Sequence, residues 1–210
     1  MTYAAQDRPR IGWIGIGRMG FQLATRLLDA GHDVAVYNRT RSKAEPLAEL
    51  GATIVDRPSD LSDRDVVFTM VAAAPALEAV TTGPDGVLTS PDAAPGVLID
   101  SSTVSTRMSA LIRSASADRG TDFLAVPVSG NPKAIAAGKL TVAVSGSREV
   151  FGQVERARGR RSLATAMTSV INHCSRCCIA SGAASPACSA RGRQFYLGSA
   201  RTWKPPGRMV

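Results

Sequence analysis

Three glycines near the amino terminus have the spacing of a phosphate-binding turn. They lie in the segment Gly15-Ile16-Gly17-Arg18-Met19-Gly20, which has the pattern G-x-G-x-x-G. An apolar run at 11–16 leads into this segment and an amphipathic stretch at 19–30 follows it, so the turn is predicted to join a strand to a helix. Backbone N–H groups at the start of such a helix bind phosphate oxygens. The glycines, Arg18 and Met19 are therefore candidates for binding a dinucleotide, and a sharp turn without a ligand is the alternative.

The residues after the second predicted strand indicate which dinucleotide is preferred. A site for NAD places Asp or Glu there, on the 2′-hydroxyl of the adenosine ribose. This chain instead has Asn38, Arg39 and Thr40, beginning 18 residues after Gly20. A guanidinium can pair with a 2′-phosphate, and a hydroxyl can donate a hydrogen bond to it. The segment therefore favours NADP(H) over NAD(H), with an ordinary solvated arginine as the alternative reading of Arg39.

These motifs lie on a regular alternation of β-rich apolar runs and amphipathic stretches, which is typical of a parallel sheet with crossover helices. Seven strands are predicted, at 11–16, 34–37, 53–55, 65–71, 97–99, 122–126 and 140–144. Six helices are predicted, at 19–30, 42–50, 75–81, 106–117, 132–137 and 148–155. The expected fold class is α/β, a Rossmann-like doubly wound parallel sheet that forms one NAD(P)-binding domain over residues 8–155.

Four segments together resemble the β-hydroxyacid dehydrogenase family, which includes 3-hydroxyisobutyrate dehydrogenase, tartronate semialdehyde reductase and the glyoxylate/succinate semialdehyde reductases. The segments are Ile14-Gly15-Ile16-Gly17-Arg18-Met19-Gly20, residues 31–40, Asp100-Ser101-Ser102-Thr103-Val104 and Pro127-Val128-Ser129-Gly130-Asn131. Their order and spacing also match the family, and the resemblance covers roughly residues 10–155.

The resemblance implies hydride transfer between NADP(H) and a small hydroxy acid or its semialdehyde or keto partner. By the same likeness Val71 would line the cofactor and Thr103 would lie beside the nicotinamide. Ser129 and Gly130 would hold the substrate carboxylate, and Asn131 stands where the family usually has a second glycine. Two structural alternatives stay open: Ser102 or Thr103 could cap the helix that follows, and Ser129 with Gly130 could form a simple turn.

The resemblance also implies a lysine that exchanges a proton with the substrate hydroxyl, in a motif resembling G-x-x-x-K-x-x-x-N on a long helix. Residues 156–210 contain no such motif, and their one lysine is Lys204 beside two prolines. Lys133 and Lys139 precede that region and do not match. We therefore assign no catalytic residue and expect impaired catalysis, so that a non-catalytic NADP-binding module is the alternative. The family's helical domain, which closes the substrate cleft and builds the dimer, is expected to be missing, which leaves any homo-oligomer undetermined.

The end of the chain differs in composition from the rest. Residues 1–150 hold 15 Lys and Arg against 16 Asp and Glu, whereas residues 151–210 hold 10 against one, so the net charge of +8 arises at the end. All the cysteines lie there too: Cys174, Cys177, Cys178 and Cys188. We expect an aberrant, poorly ordered basic tail over 156–210, and a shifted reading frame in GC-rich coding DNA is our hypothesis for its origin.

The composition of this tail suggests two alternative functions. Zinc binding is disfavoured because the single C-x-x-C has no second pair of ligands at the usual spacing, so no metal is expected. Nucleic-acid binding through the basic residues is a less favoured alternative, since few aromatic residues accompany them and no known module is recognisable. No apolar run approaches the roughly 18 residues that span a bilayer, and the polar first ten residues give no sign of export. The expected location is cytoplasmic, without a membrane partner.

Overall fold

The computed structural model describes residues 9–137 and 140–156. The predicted basic tail lies outside these residues from position 157 onward, as does Lys139. The predictions that concern the tail, including zinc and nucleic acid, therefore stay predictions.

A seven-stranded sheet forms the centre of the molecule, with the strand order β3-β2-β1-β4-β5-β6-β9. The strands are β1 Ile11–Ile14, β2 Val34–Tyr37, β3 Thr53–Ile54, β4 Val66–Thr69, β5 Val97–Asp100, β6 Asp122–Ala125, β7 Val128–Ser129, β8 Thr141–Val142 and β9 Ser145–Gly146. Strands β1 to β6 pair in parallel, and β9 joins β6 antiparallel. The chain adds β2 and β3 on one side of β1 and then β4, β5 and β6 on the other side. This order confirms the predicted Rossmann-like doubly wound sheet.

Helices lie between the parallel strands, and two more follow β7 and β9. They are α1 Arg18–Asp29, α2 Glu45–Ala48, α3 Ala74–Thr81, α4 Thr106–Asp118, α5 Pro132–Ala136 and α6 Arg148–Arg156, with short 3₁₀ helices at Arg41–Lys43 and Pro58–Leu61. Helix α4 packs on β6, and α1 packs on α5. Parallel strands need such crossovers, because a two-residue turn cannot return the chain to the same end of the sheet.

The core lies on both faces of the sheet. Every residue of β1, β4 and β5 is buried. Alternate side chains point to opposite faces, so Trp13 and Phe68 belong to one apolar cluster and Ile14 and Val67 to the other. Burial on both faces explains why these strands read as continuous apolar runs in the sequence.

Two of the predicted elements differ from those in the structure, and the structure adds β7, β9 and the 3₁₀ helix Pro58–Leu61, which were not predicted. The predicted helix 42–50 divides into the 3₁₀ helix Arg41–Lys43 and the four-residue α2, in which Pro46 occupies the first turn. Since proline has no N–H to donate, it suits the start of a helix and interrupts one that begins earlier. The predicted strand 140–144 is the two-residue β8, which pairs with β7 in a separate antiparallel sheet rather than with the main one.

Candidate functional site

The three glycines of the turn between β1 and α1 differ in the space around them. Gly15 has a φ of +104°, and a Cβ atom there would lie 2.2 Å from the Met70 carbonyl oxygen. A Cβ on Gly20 would lie 2.1 Å from the Gly15 carbonyl oxygen. At Gly17 a Cβ would meet nothing within 4 Å. The first and third glycines are therefore needed for packing, and the second faces an open space that a ligand can enter.

The start of α1 faces the same space. Gly17 is the N-cap residue, no side chain caps the helix, and its first turn contains no acidic residue. Helix α1 is 12 residues long, so its first turn carries backbone N–H groups without intrahelical partners and the positive end of the helix dipole. Both features favour an anion. The residues present therefore fit a pyrophosphate group.

Two side chains hold the glycine turn in place. The buried indole of Trp13 donates its Nε1–H to the Gly15 carbonyl oxygen at 3.1 Å. The Oδ1 atom of Asn38 accepts a hydrogen bond from the Ile16 N–H at 2.9 Å, and its Nδ2 donates to the Thr40 carbonyl oxygen at 2.8 Å. Asn38 thus joins the turn to the loop after β2, a positioning role that the sequence motif did not indicate.

The loop after β2 presents cationic side chains to solvent. Arg39 and Thr40 are exposed. Arg41 forms an ion pair with Asp56. Within residues 9–137 and 140–156, Arg39 takes part in none of the ion pairs that the structure shows. Its guanidinium is therefore available to an anionic ligand.

A buried carboxylate connects the carboxyl ends of β4 and β5. Asp100 is 1% exposed, and its Oδ1 accepts hydrogen bonds from Thr69 Oγ1 at 2.8 Å and from the Ser102 N–H at 3.0 Å. The Ser102 hydroxyl oxygen accepts in turn from the Val71 N–H at 3.0 Å. Burial raises the pKa of Asp100, while the hydrogen bonds from Ser102 and Thr69 oppose that rise. The network fixes the two segments that follow these strands.

These segments form one wall of an open cleft of about 290 Å³. The cleft is lined by Met19, Met70, Val71, Ala72, Ser101, Ser102, Thr103, Val128 and Gly130. It brings together four predicted site residues from separate parts of the sequence: Met19, Val71, Thr103 and Gly130. It lies at the carboxyl edge of the parallel strands, where open α/β sheets bind ligands.

The two structural alternatives for the predicted site residues have different outcomes. Helix α4 is capped by Ser105, whose Oγ accepts from the Met108 N–H at 3.2 Å, so neither Ser102 nor Thr103 is the cap. The second alternative was a simple turn at Ser129 and Gly130. The structure places Ser129 in β7, and Gly130 follows that strand with a φ of +151°. A Cβ on Gly130 would lie 2.6 Å from Leu140 Cδ1, which explains a glycine at this point.

Asn131 lies just outside the cleft lining. Its Oδ1 accepts a hydrogen bond from the Ala134 N–H at 3.0 Å and caps α5. Ser129 is exposed beside the cleft and is not among the residues that line it. The predicted carboxylate-binding residues therefore run from the end of β7 to the start of α5, and Gly130 is the one of the three that lines the cleft.

Sequence reasoning missed Trp13, Thr69 and Asp100 as parts of the site. Asp100 had a usable signal, because an aspartate that ends the apolar run of β5 is buried and needs hydrogen-bond donors. Among the described residues there is no group of three metal-binding side chains, and no helix in this part of the chain is long and apolar enough to cross a bilayer.

The chain is similar to known oxidoreductases. The sequence model of the family described as the NAD-binding domain of 6-phosphogluconate dehydrogenase matches residues 10–180, beyond the domain boundary predicted at 155. Glyoxylate/succinic semialdehyde reductase 2 of Arabidopsis thaliana is 36% identical over 142 residues, which is 67% of this chain and 39% of the reductase.

Solved structures share the fold. The 3-hydroxyisobutyrate dehydrogenase of Mycobacterium tuberculosis with L-serine superimposes with a TM-score of 0.65 at 26% identity, over 79% of this chain and 53% of that one. Psf3 in complex with NADP+ and 2-OPP gives a TM-score of 0.63 at 32% identity, over 70% and 52% of the two chains. The present chain thus spans about half the length of these solved proteins, and less of the reductase.

Proposed function

Since the chain belongs to the family of the NAD-binding domain of 6-phosphogluconate dehydrogenase, we propose that it binds NADP(H) for hydride transfer to or from a small hydroxy acid or its semialdehyde or keto partner. The nicotinamide would supply the site for the hydride, while the chain binds and orients the cofactor and the substrate. The observation that carries this proposal is the glycine turn, whose middle glycine opens onto the start of α1.

The cofactor's phosphates would bind at the start of α1. Gly15 and Gly20 allow the strand and the helix to approach each other, and Gly17 leaves room beside the uncapped N–H groups. Arg18 is exposed on the first turn of the helix and can add a positive charge there. Val71 and Thr103 would contact the nicotinamide end, since both line the cleft together with Met19.

The preference for NADP(H) rests on the loop after β2. Arg39 is exposed and, among the described residues, takes no part in an ion pair, so binding a 2′-phosphate would not require an existing ion pair to break. Thr40 adds a hydroxyl donor, and Asn38 holds the loop against the glycine turn. The complex of the similar protein Psf3 with NADP+ is consistent with this preference.

Titration with NADPH and NADH tests the cofactor proposal. The purified chain should bind NADPH more tightly than NADH, and Arg39→Ala should weaken NADPH binding by roughly 10- to 100-fold, because a charge-assisted hydrogen bond contributes about 1.5–3 kcal/mol. NADH binding should change little. Arg41→Ala is the matched control, since Arg41 already pairs with Asp56, and it should retain most of the preference. Equal affinities of the native chain for the two cofactors would refute the preference.

The substrate would bind beside β7, at the far wall of the cleft. Ser129 at the end of β7 and the following Gly130 and Asn131 are exposed there, and a hydroxyl, a backbone N–H and an amide are all able to donate to a carboxylate. L-serine, found with the similar M. tuberculosis enzyme, carries the hydroxyl and carboxylate that such a loop and cofactor would require. We assign no catalytic residue in this chain.

A further inference from the structure

We propose that the negative charge of Asp100 makes the cleft prefer the oxidised, positively charged nicotinamide over the reduced, neutral one. This inference rests on the proposed function, because it requires the nicotinamide to bind in the cleft lined by Ser102 and Thr103. Asp100 immediately precedes the segment that forms this wall, and it ends β5 at the same edge of the sheet. Asp100 is not part of the cleft lining. It would therefore act on the nicotinamide through its electric field and not by contact.

Among residues 9–137 and 140–156, no cationic side chain pairs with Asp100. The residue is almost fully buried, and its hydrogen-bond partners are neutral: the Thr69 hydroxyl, the Ser102 backbone N–H and the Ser102 side chain. All ion pairs within the described residues involve other carboxylates, on Asp33, Asp56, Asp60, Asp63 and Asp65. Burial raises the pKa of Asp100, and the hydrogen bonds from Ser102 and Thr69 oppose that rise by stabilising the ionised form. Neutral donors do not cancel the charge of the ionised carboxylate, so its field extends into the neighbouring cleft.

The two oxidation states of the cofactor differ by one positive charge on the nicotinamide ring. For a ring bound about 10 Å from the carboxylate, at an effective dielectric constant of about 20 to 40, one charge changes the affinity for the cationic form roughly 4- to 16-fold. The neutral ring gains nothing comparable. Asp100 therefore acts on the ratio of the two affinities rather than on both equally.

The hydrogen-bond geometry separates the charge of Asp100 from its structural role. The hydrogen bonds from the Thr69 hydroxyl and from the Ser102 backbone N–H both end on the same atom, Oδ1. Asparagine has one carbonyl oxygen in the corresponding position, so Asp100→Asn can keep both bonds while it loses the charge. A residue needed only to connect β4 with β5 would tolerate this replacement without any change in redox preference.

The experiment measures the dissociation constants of NADP+ and NADPH for the purified full chain, by calorimetry and by NADPH fluorescence. In Asp100→Asn, the ratio Kd(NADP+)/Kd(NADPH) should rise roughly 4- to 16-fold above the native ratio. Asp122→Asn is the matched control, because Asp122 is an exposed aspartate at the amino end of β6, paired with Val97 rather than with the cleft end of β5. It should leave the ratio unchanged.

An unchanged ratio in folded Asp100→Asn would overturn the inference, as would an equal loss of affinity for both oxidation states. If Asp100→Asn does not fold, Asp100→Ser provides a second neutral side chain that can accept one of the bonds, and the same rise in the ratio is expected. Native protein that binds neither NADP+ nor NADPH would instead refute the proposed function, before the ratio is considered.

Discussion

The indole N–H of Trp13, the single polar group of its side chain, forms a hydrogen bond inside the phosphate-binding turn. Its Nε1–H donates to the Gly15 carbonyl oxygen, and its ring stacks on Phe68 with the centroids 5.1 Å apart. A carbonyl oxygen that faced a pyrophosphate would repel it, since both are electron-rich. By holding this oxygen toward the protein interior, Trp13 leaves N–H groups as the polar atoms at the ligand side.

Trp13→Phe separates the hydrogen bond from the ring contact. Phenylalanine can keep the stack with Phe68 but has no N–H, so the Kd for NADPH should rise about 2- to 10-fold, in line with the loss of one hydrogen bond worth about 1 kcal/mol. Fluorescence titration measures this change. Phe68→Leu is the control that loses the stack and keeps the N–H. It should lower the free energy of unfolding more than it affects binding, and an equal loss of NADPH affinity in both variants would contradict the role given to the N–H.

At the scale of elements, the start of α1 combines a packing requirement with a binding requirement. Gly20 lies against the Gly15 carbonyl oxygen, whereas Gly17 faces open space and has a φ of −85° that alanine also adopts. The two glycines are only three residues apart, so a pair of alanine substitutions can separate folding from ligand binding.

Gly17→Ala should leave the free energy of unfolding within about 0.5 kcal/mol of the native value, because its Cβ meets no protein atom. The same Cβ would occupy space next to the proposed pyrophosphate, so NADPH affinity should fall at least ~10-fold, the equivalent of about 1.4 kcal/mol. Gly20→Ala should lower the free energy of unfolding by about 1–3 kcal/mol, the usual cost of overpacking. Urea unfolding and NADPH titration of both variants measure these effects. Full NADPH affinity in Gly17→Ala would contradict the proposed position of the phosphates.

The elements with strong local patterns could be predicted from the sequence. Strands β1, β2, β4, β5 and β6 lie within their predicted ranges or one residue beyond, and α1 and α4 within about a residue of theirs, because long apolar runs and helical periodicity identify such elements. The two-residue strands β7 and β9 were not predicted, since neither lies in an apolar run of the kind that contains β3 and β8, and two residues alone show no period. Their pairing depends on contacts made only in the folded chain.

The candidate site was predictable in part for a similar reason. The glycine turn and Arg39 lie in short continuous motifs, so their types and spacing are visible in the sequence. The contact between Asp100 and Thr69 joins residues 31 positions apart, and no local pattern reports it. Trp13 was visible only as an apolar residue of β1, although its N–H bonds to the glycine motif itself.

At the scale of the whole molecule, the proposed reaction needs two parts, a site for the cofactor and a group that exchanges the hydroxyl proton. The carbinol carbon would give its hydride to NADP+ while a base takes the hydroxyl proton. No G-x-x-x-K-x-x-x-N motif occurs in residues 156–210. We therefore expect NADPH binding without turnover of 3-hydroxyisobutyrate, glycerate or 4-hydroxybutyrate at the rate of about 1 s⁻¹ or more that is usual for enzymes.

NADPH absorbance with each hydroxy acid and NADP+ tests this expectation. The assay is also run in the reverse direction with NADPH and the corresponding semialdehyde, where the full-length Arabidopsis glyoxylate/succinic semialdehyde reductase serves as the positive control with succinic semialdehyde. Substrate-dependent NADPH formation by the present chain would show that one of its own groups accepts the proton, and would exclude the non-catalytic module. Tight NADPH binding with no turnover of any of the three would favour that module.

The seven-stranded sheet ends on both sides in very short strands. Within the part of the chain that the structure describes, its outermost strands, β3 and β9, contain two residues each, and β9 runs opposite to its neighbour. An exposed strand edge offers unpaired backbone groups on which a foreign strand can add, and that is a common route to aggregation. Two residues offer too few such groups to align another strand, so this sheet is protected against growing from one molecule into the next.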